Sequence, residues 1–119
     1  MVIFDANAIL RYILEDNIEM ANTVDNIINN NDCFIPTEVI AEIVYVLSGV
    51  YKIPRETIKK AVAGLLDLGH ITTSNHVVTM IGLQMYATTK LDFVDCLLIG
   101  YQKAGYKVFS FDKALNKHL

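Results

Sequence analysis

Residues 2–14 read Val2-Ile3-Phe4-Asp5-Ala6-Asn7-Ala8-Ile9-Leu10-Arg11-Tyr12-Ile13-Leu14. The apolar run Val2-Ile3-Phe4 stops at an acid, the pattern of a short buried strand. From Ala6 onward Ile9, Leu10 and Ile13 share one helical face, which predicts a helix over 6–14. The same alternation continues along the chain. Met20, Ala21, Val24, Ile27 and Ile28 mark a helix over 18–28, broken by Asn29-Asn30-Asn31-Asp32. Cys33-Phe34-Ile35 is a second strand, ended by Pro36, and Thr37 is the expected N-cap of a long apolar helix through Val50. Pro54 opens a helix over 54–67, with Gly69 following its last turn. Ile71-Thr72-Thr73 is a third strand, and 76–89 a helix weakened by Gly82. Asp92 or a neighbour caps a helix to Ala104, with Gly105 as C-cap. Val108-Phe109-Ser110-Phe111 is a last strand, ended by Asp112, and a short helix follows. Strands separated by helices require crossovers, so the fold class is α/β, a central parallel sheet with helices on both faces. Such sheets place their sites at the carboxyl ends of the strands. On this reading Asp5 and Asp112, each following a strand, emerge at one edge.

The chain has 119 residues, enough for one domain spanning 1–119. Hydrophobic residues make up 53% and charged residues 19%, an apolar balance that supports a real core and argues against disorder. Mean hydropathy of +0.36 leaves apolar surface for a partner. No apolar run reaches spanning length, and the Met1-Val2-Ile3-Phe4-Asp5 start lacks the basic region of a signal peptide. A cytoplasmic location is therefore expected, with Cys33 and Cys96 as reduced core thiols. Charge divides unevenly. Residues 1–50 carry eight acids against one base, Arg11, or −7; residues 51–119 carry five acids against nine bases, or +4. Bulk charge gives no argument for nucleic-acid binding, while a local basic surface in the second half stays open.

Most of the acids have a structural use. Asp5, Asp92 and Asp112 all stand where an N-cap is expected. Glu42 does not. It falls mid-helix in Val39-Ile40-Ala41-Glu42-Ile43-Val44-Tyr45-Val46-Leu47, apolar on nearly every side, and a helix apolar all round is expected to be buried. A buried carboxylate is costly unless paired or bound to a cation, and Glu38, one turn earlier, adds repulsion. Asp95 has a similar setting in Phe93-Val94-Asp95-Cys96-Leu97-Leu98-Ile99. Asp5, Glu42, Asp95 and Asp112 form a coherent set if they share a cation. Hard oxygen ligands without a Cys/His pair at metal spacing point to Mg²⁺ or Mn²⁺ rather than zinc, and His70, His76 and His118 are read as ordinary loop or surface residues. Such a metal site suits phosphodiester hydrolysis. Val39, Ile43, Val46, Leu47 and Val50 are expected in the core.

These residues resemble the motifs of the PIN-domain ribonucleases, most closely the VapC-type toxins of toxin–antitoxin pairs. Asp5-Ala6-Asn7 with Leu10-Arg11 is similar to the family's opening. Ile35-Pro36 through Glu42 resembles its second motif, Leu91-Asp92-Phe93-Val94-Asp95-Cys96 its third, and Phe109-Ser110-Phe111-Asp112-Lys113 its fourth. The resemblance covers essentially the whole chain. It implies a PIN fold with Asp5, Glu42, Asp95 and Asp112 as metal-binding and catalytic acids, and Asn7 and Ser110 orienting ligands or waters around them. It also implies an RNA substrate, a homodimer, and a cognate antitoxin whose tail crosses the site. Ala6 and Cys96 depart from the usual pattern without removing a carboxylate, and Asp92 is read as a cap. Rival readings are a PIN nuclease of RNA processing without an antitoxin, and a catalytically silent PIN interaction module. Phosphatase and receiver folds fit less well: the first want Asp-x-Asp where this chain has Asp5-Ala6-Asn7, the second a further acid beside Asp5.

Overall fold

Three two-residue strands pair in parallel: β1 (Val2–Ile3), β2 (Cys33–Phe34) and β3 (Ile71–Thr72), in the order β1-β2-β3. Val2 stands opposite Cys33 and Cys33 opposite Ile71. Backbone bonding runs past the strand ends, with the Phe4 N–H donating to Phe34 O at 3.2 Å and the Ile35 N–H to Thr72 O at 2.9 Å. The computed structural model describes residues 1–119, and seven helices pack around this sheet. They are α1 (Ala6–Leu14), α2 (Ile18–Asn30), α3 (Thr37–Gly49), α4 (Arg55–Leu66), α5 (His76–Thr88), α6 (Phe93–Lys103) and α7 (Lys113–Asn116). Strand order equals chain order, so β1 and β3 are the two edges.

The apolar periodicities do what the sequence assigns to them. Ile9 and Leu10 of α1, Val24 and Ile28 of α2, Ile40, Ile43, Val44 and Leu47 of α3, and Ile58, Val62, Leu65 and Leu66 of α4 are buried in one core with Cys33, Ile35 and Ile71 of the sheet. Each such side chain is worth about 1.5–3 kcal/mol relative to exposure. Asn17 and Asn75 cap α2 and α5, their side chains accepting from Met20 N and Val78 N. Thr37 is the first residue of α3 rather than its cap, a place taken by Pro36, and Pro54 likewise precedes α4. Gly105, at φ +108°, follows the α6 C-cap Ala104, where a left-handed residue is needed.

Helices α5 and α6 approach closely, and two glycines permit it. A Cβ on Gly82 would lie 3.0 Å from Leu97 Cδ2, and one on Gly100 only 2.6 Å from Val78 O. Gly82 therefore weakens α5 as an isolated helix but lets α6 settle against it.

Three expectations are corrected. Residues 108–111 form no strand: they are extended, with Val108 and Ser110 partly buried and Phe109 and Phe111 exposed at 82% and 90%. The alternation is that of a strand, yet no backbone bond joins this segment to β1, and the two phenyl rings pack edge to face on each other at 5.0 Å. β-propensity sets the backbone conformation; pairing requires a partner edge, and here none is engaged. Asp112 consequently follows an unpaired segment rather than a strand. Val50 is exposed, and Val39 and Val46 are only partly buried, because α3 turns one face to the core and leaves Tyr45 77% exposed. The third correction, to Glu42, belongs to the site. Cys33 and Cys96 are both buried and free, and burial pushes both thiols up. No helix is long and apolar enough to cross a membrane.

Candidate functional site

The parallel strands send the N-termini of α1, α3 and α5 to one edge of the sheet. The Asp5 carboxylate stands at the α1 N-terminus and accepts from Ala8 N at 2.9 Å. The Thr37 N–H donates to Ser74 Oγ at 3.1 Å, tying the start of α3 to the loop after β3. Asn7, exposed in the first turn of α1, lines a groove of about 360 Å³ together with Asp5, Arg11 and Glu19.

Glu42 is exposed. The solvent-facing stripe of the helix that carries it is Glu38, Glu42, Tyr45 and Gly49, so Glu42 bears none of the burial cost the sequence assigned to it. Apolar residues fix which face of a helix can be buried only when a polar face contrasts with them. In α3 the contrast is weak.

The C-terminal half gathers the other acids. Asp95 lies half-buried in the first turn of α6. Its carboxyl is held above the ordinary aspartate range, first by desolvation and then by the negative charges of Asp112 and Asp92. The N-terminal dipole of α6 favours the carboxylate, but burial and the two like charges outweigh it. Asp112 caps α7, accepting from Leu115 N at 2.9 Å, and its own N–H donates to Ser110 Oγ at 2.9 Å. The Asn116 amide closes the turn on Ser110 O at 2.9 Å. Ser110 therefore orients Asp112 through the backbone. Asp92 occupies the N-cap position of α6, as expected, yet its carboxylate makes no capping hydrogen bond. Its oxygens are not committed to the helix, which the capping reading did not anticipate.

The structure thus brings Asp92, Asp95 and Asp112 into one electrostatic neighbourhood and sets Asp5 beside Asn7. No three of the acidic, histidine or cysteine side chains stand close enough to hold one metal ion. In kind, the donors suit a hard divalent cation. They are carboxylates alone, and the chain's two ion pairs, Arg11–Asp16 and Lys59–Glu56, involve none of them. No histidine pairs with an acid: His70 Nε2 lies 2.7 Å from Ile28 O, and His76 and His118 are exposed.

Sequence reasoning passed over Arg55. This residue opens α4, and its guanidinium reaches the carbonyls of Tyr86, Thr89, Lys90 and Leu91, at the end of α5 and in the turn leading to Asp92. Its partners lie more than thirty residues away, and nothing local in the sequence marks them.

The family model of the PIN domain matches residues 2–118. The chain belongs to the PIN-domain family. PIN domains are generally nucleases that use divalent metal, and their α/β architecture is the one described above. No curated protein and no solved structure matches the chain. Within this PIN domain the negative charge of Asp112 bears on Asp95.

Proposed function

We propose that this PIN domain is a metal-dependent endoribonuclease and the toxin of a toxin–antitoxin pair, with Asp5, Glu42, Asp95 and Asp112 holding Mg²⁺ or Mn²⁺. The observation that carries this reading is the crowding of Asp95 by Asp112 and Asp92 with no basic residue paired to any of them. Uncompensated carboxylates are relieved by protonation or by a cation. A divalent metal held there would supply charge neutralisation at the phosphate oxygens and would lower the pKa of a water. The chain's own part is positioning. The turn built on Ser110 holds Asp112, the first turn of α6 holds Asp95, and Asn7 offers an amide beside Asp5 for a ligand or water.

Partners follow from the same reading. An acid-lined site emptied of metal is net negative, so an antitoxin arginine can fork across two carboxylates near Asp5, Glu42 and Asp95. Exposed Tyr45 of α3, with Val50 and Tyr51 just after the helix, offers surface for a homodimer. The spread of the acids favours a second reading, a PIN module that binds partners without cutting RNA. One experiment separates the two. Purified protein is incubated with structured RNA and with single-stranded DNA, with Mn²⁺ or with EDTA. Cleavage of RNA alone, abolished by EDTA, supports the nuclease. Intact RNA at all Mn²⁺ concentrations supports the silent module, and chelator-insensitive cutting refutes the metal.

A further inference from the structure

Arginine is a surface residue by default, yet Arg55 spends its guanidinium on the protein's own backbone. Nη1 reaches Leu91 O at 2.6 Å, Tyr86 O at 3.1 Å and Thr89 O at 3.2 Å, and Nη2 reaches Lys90 O at 3.3 Å. The guanidinium carbon sits 4.1 Å from the centroid of the Tyr86 ring, which packs edge to face on Phe93 at 5.9 Å. No carboxylate pairs with Arg55.

The reach of the fork decides what it is for. Closing α5 requires donors only to the last carbonyls of that helix, and there Arg55 donates to Tyr86 O and Thr89 Oγ1 to Met85 O. Lys90 O and Leu91 O lie beyond the helix, in the two residues directly before Asp92. The same turn is bonded internally. Thr89 Oγ1 donates to Met85 O at 2.7 Å and accepts from Leu91 N at 3.3 Å, and Cys96 Sγ lies 3.8 Å from both Leu91 O and Thr89 Oγ1. Phe93, the first residue of α6, is gripped by Tyr86 beneath the guanidinium. Three of the four bonds from Arg55, and its stacking on the ring that holds Phe93, thus bear on the start of α6, where Asp92 and Asp95 stand.

We infer that Arg55 is a positioning residue: it fixes the 89–92 turn and thereby the direction in which the first turn of α6 presents Asp92 and Asp95. Lysine cannot replace it, because an ammonium places three donors around one point and cannot span four carbonyls. For metal binding the inference rests on the nuclease reading above; for geometry it stands on the fork alone.

The test uses the full chain as wild type, Arg55→Lys and Arg55→Ala, with three readouts: thermal midpoint, amide hydrogen exchange and Mn²⁺ affinity by calorimetry. The reporter amide is Cys96 N–H, which donates to Asp92 O at 3.0 Å. In folded Arg55→Lys its exchange rises while α1 amides keep their protection. Mn²⁺ affinity falls about 10-fold, the usual scale for losing a group that orients metal ligands. Ethylguanidinium restores affinity to Arg55→Ala and ethylammonium does not. Exchange that rises evenly over the molecule, or Arg55→Lys binding Mn²⁺ as tightly as wild type, overturns the inference. If wild type itself binds no Mn²⁺, the nuclease reading falls, and Cys96 exchange alone then decides the role of Arg55.

Discussion

Replacing Gly100 by alanine tests the helix contact on which the position of Asp95 depends. The added methyl would stand 2.6 Å from Val78 O and 3.2 Å from Val78 Cγ1. A carbon–oxygen contact settles at about 3.3–3.6 Å, so α6 must retreat from α5 by roughly 0.7–1 Å. The carbonyl lies inside a helix and cannot swing aside. Overpacking of this kind costs about 1–3 kcal/mol. Against it stands the helix-propensity gain of glycine to alanine, about 0.8–1 kcal/mol. The net expectation is a loss of up to about 2 kcal/mol, or a thermal midpoint lower by up to roughly 8 °C for a domain of this size. Gly64 is the control. It lies in α4 with nothing within 4 Å of its Cβ position, so Gly64→Ala gains about 0.5–1 kcal/mol. Circular-dichroism melting of both variants measures the difference. If Gly100→Ala melts at or above wild type, α5 and α6 are not in this close register, and the placement of Asp95 argued from it is wrong.

Asp5→Asn keeps an oxygen acceptor for Ala8 N–H while removing the charge, so its melting stays within about 0.5 kcal/mol of wild type while RNA cleavage is lost; a collapse in stability would make Asp5 structural. For metal-free Asp95→Asn the sign follows from linkage. The folded-state pKa of Asp95 is raised, so the folded chain binds more protons than the unfolded chain between the ordinary aspartate range and the raised value, and stability falls as pH rises through that window. Asparagine escapes this loss: the variant melts higher than wild type at neutral pH, and the advantage disappears below the carboxylate range. An advantage that persists there refutes the electrostatic account. Glu42→Gln, at an exposed position, changes stability by no more than about 0.5 kcal/mol and abolishes cleavage; retained cleavage removes Glu42 from the site.

Much of the fold was legible because its signals are local. Val2-Ile3-Phe4 before Asp5, the asparagine run in which α2 ends and the period of Ile40, Ile43, Val44 and Leu47 each report on their own neighbourhood. What failed was non-local. Residues 108–111 carry the alternation of a strand, but alternation cannot say whether a partner edge is engaged. The exposure of Glu42 depends on which side of a nearly uniform apolar helix meets the core, a choice made by packing. Gly82 reads as a flaw in α5 until the Leu97 side chain is seen against it. Asp5, Glu42, Asp95 and Asp112 were singled out by residue type and position, whereas the crowding of Asp95 by Asp92 and Asp112 depends on the tertiary path of α6 and the segment after it. Arg55 was invisible for the same reason: a guanidinium bound to carbonyls leaves no complementary charge in the sequence.

The central claim is the proposal that Asp95 and the carboxylates crowding it take up a divalent cation. Calorimetric titration of Mn²⁺ into the wild-type chain and into Asp95→Asn tests it most directly, with melting curves to show that both are folded. The account predicts saturable binding to wild type that weakens by at least about 10-fold in Asp95→Asn. Equal affinity in the two folded proteins, or no binding to either, would contradict it.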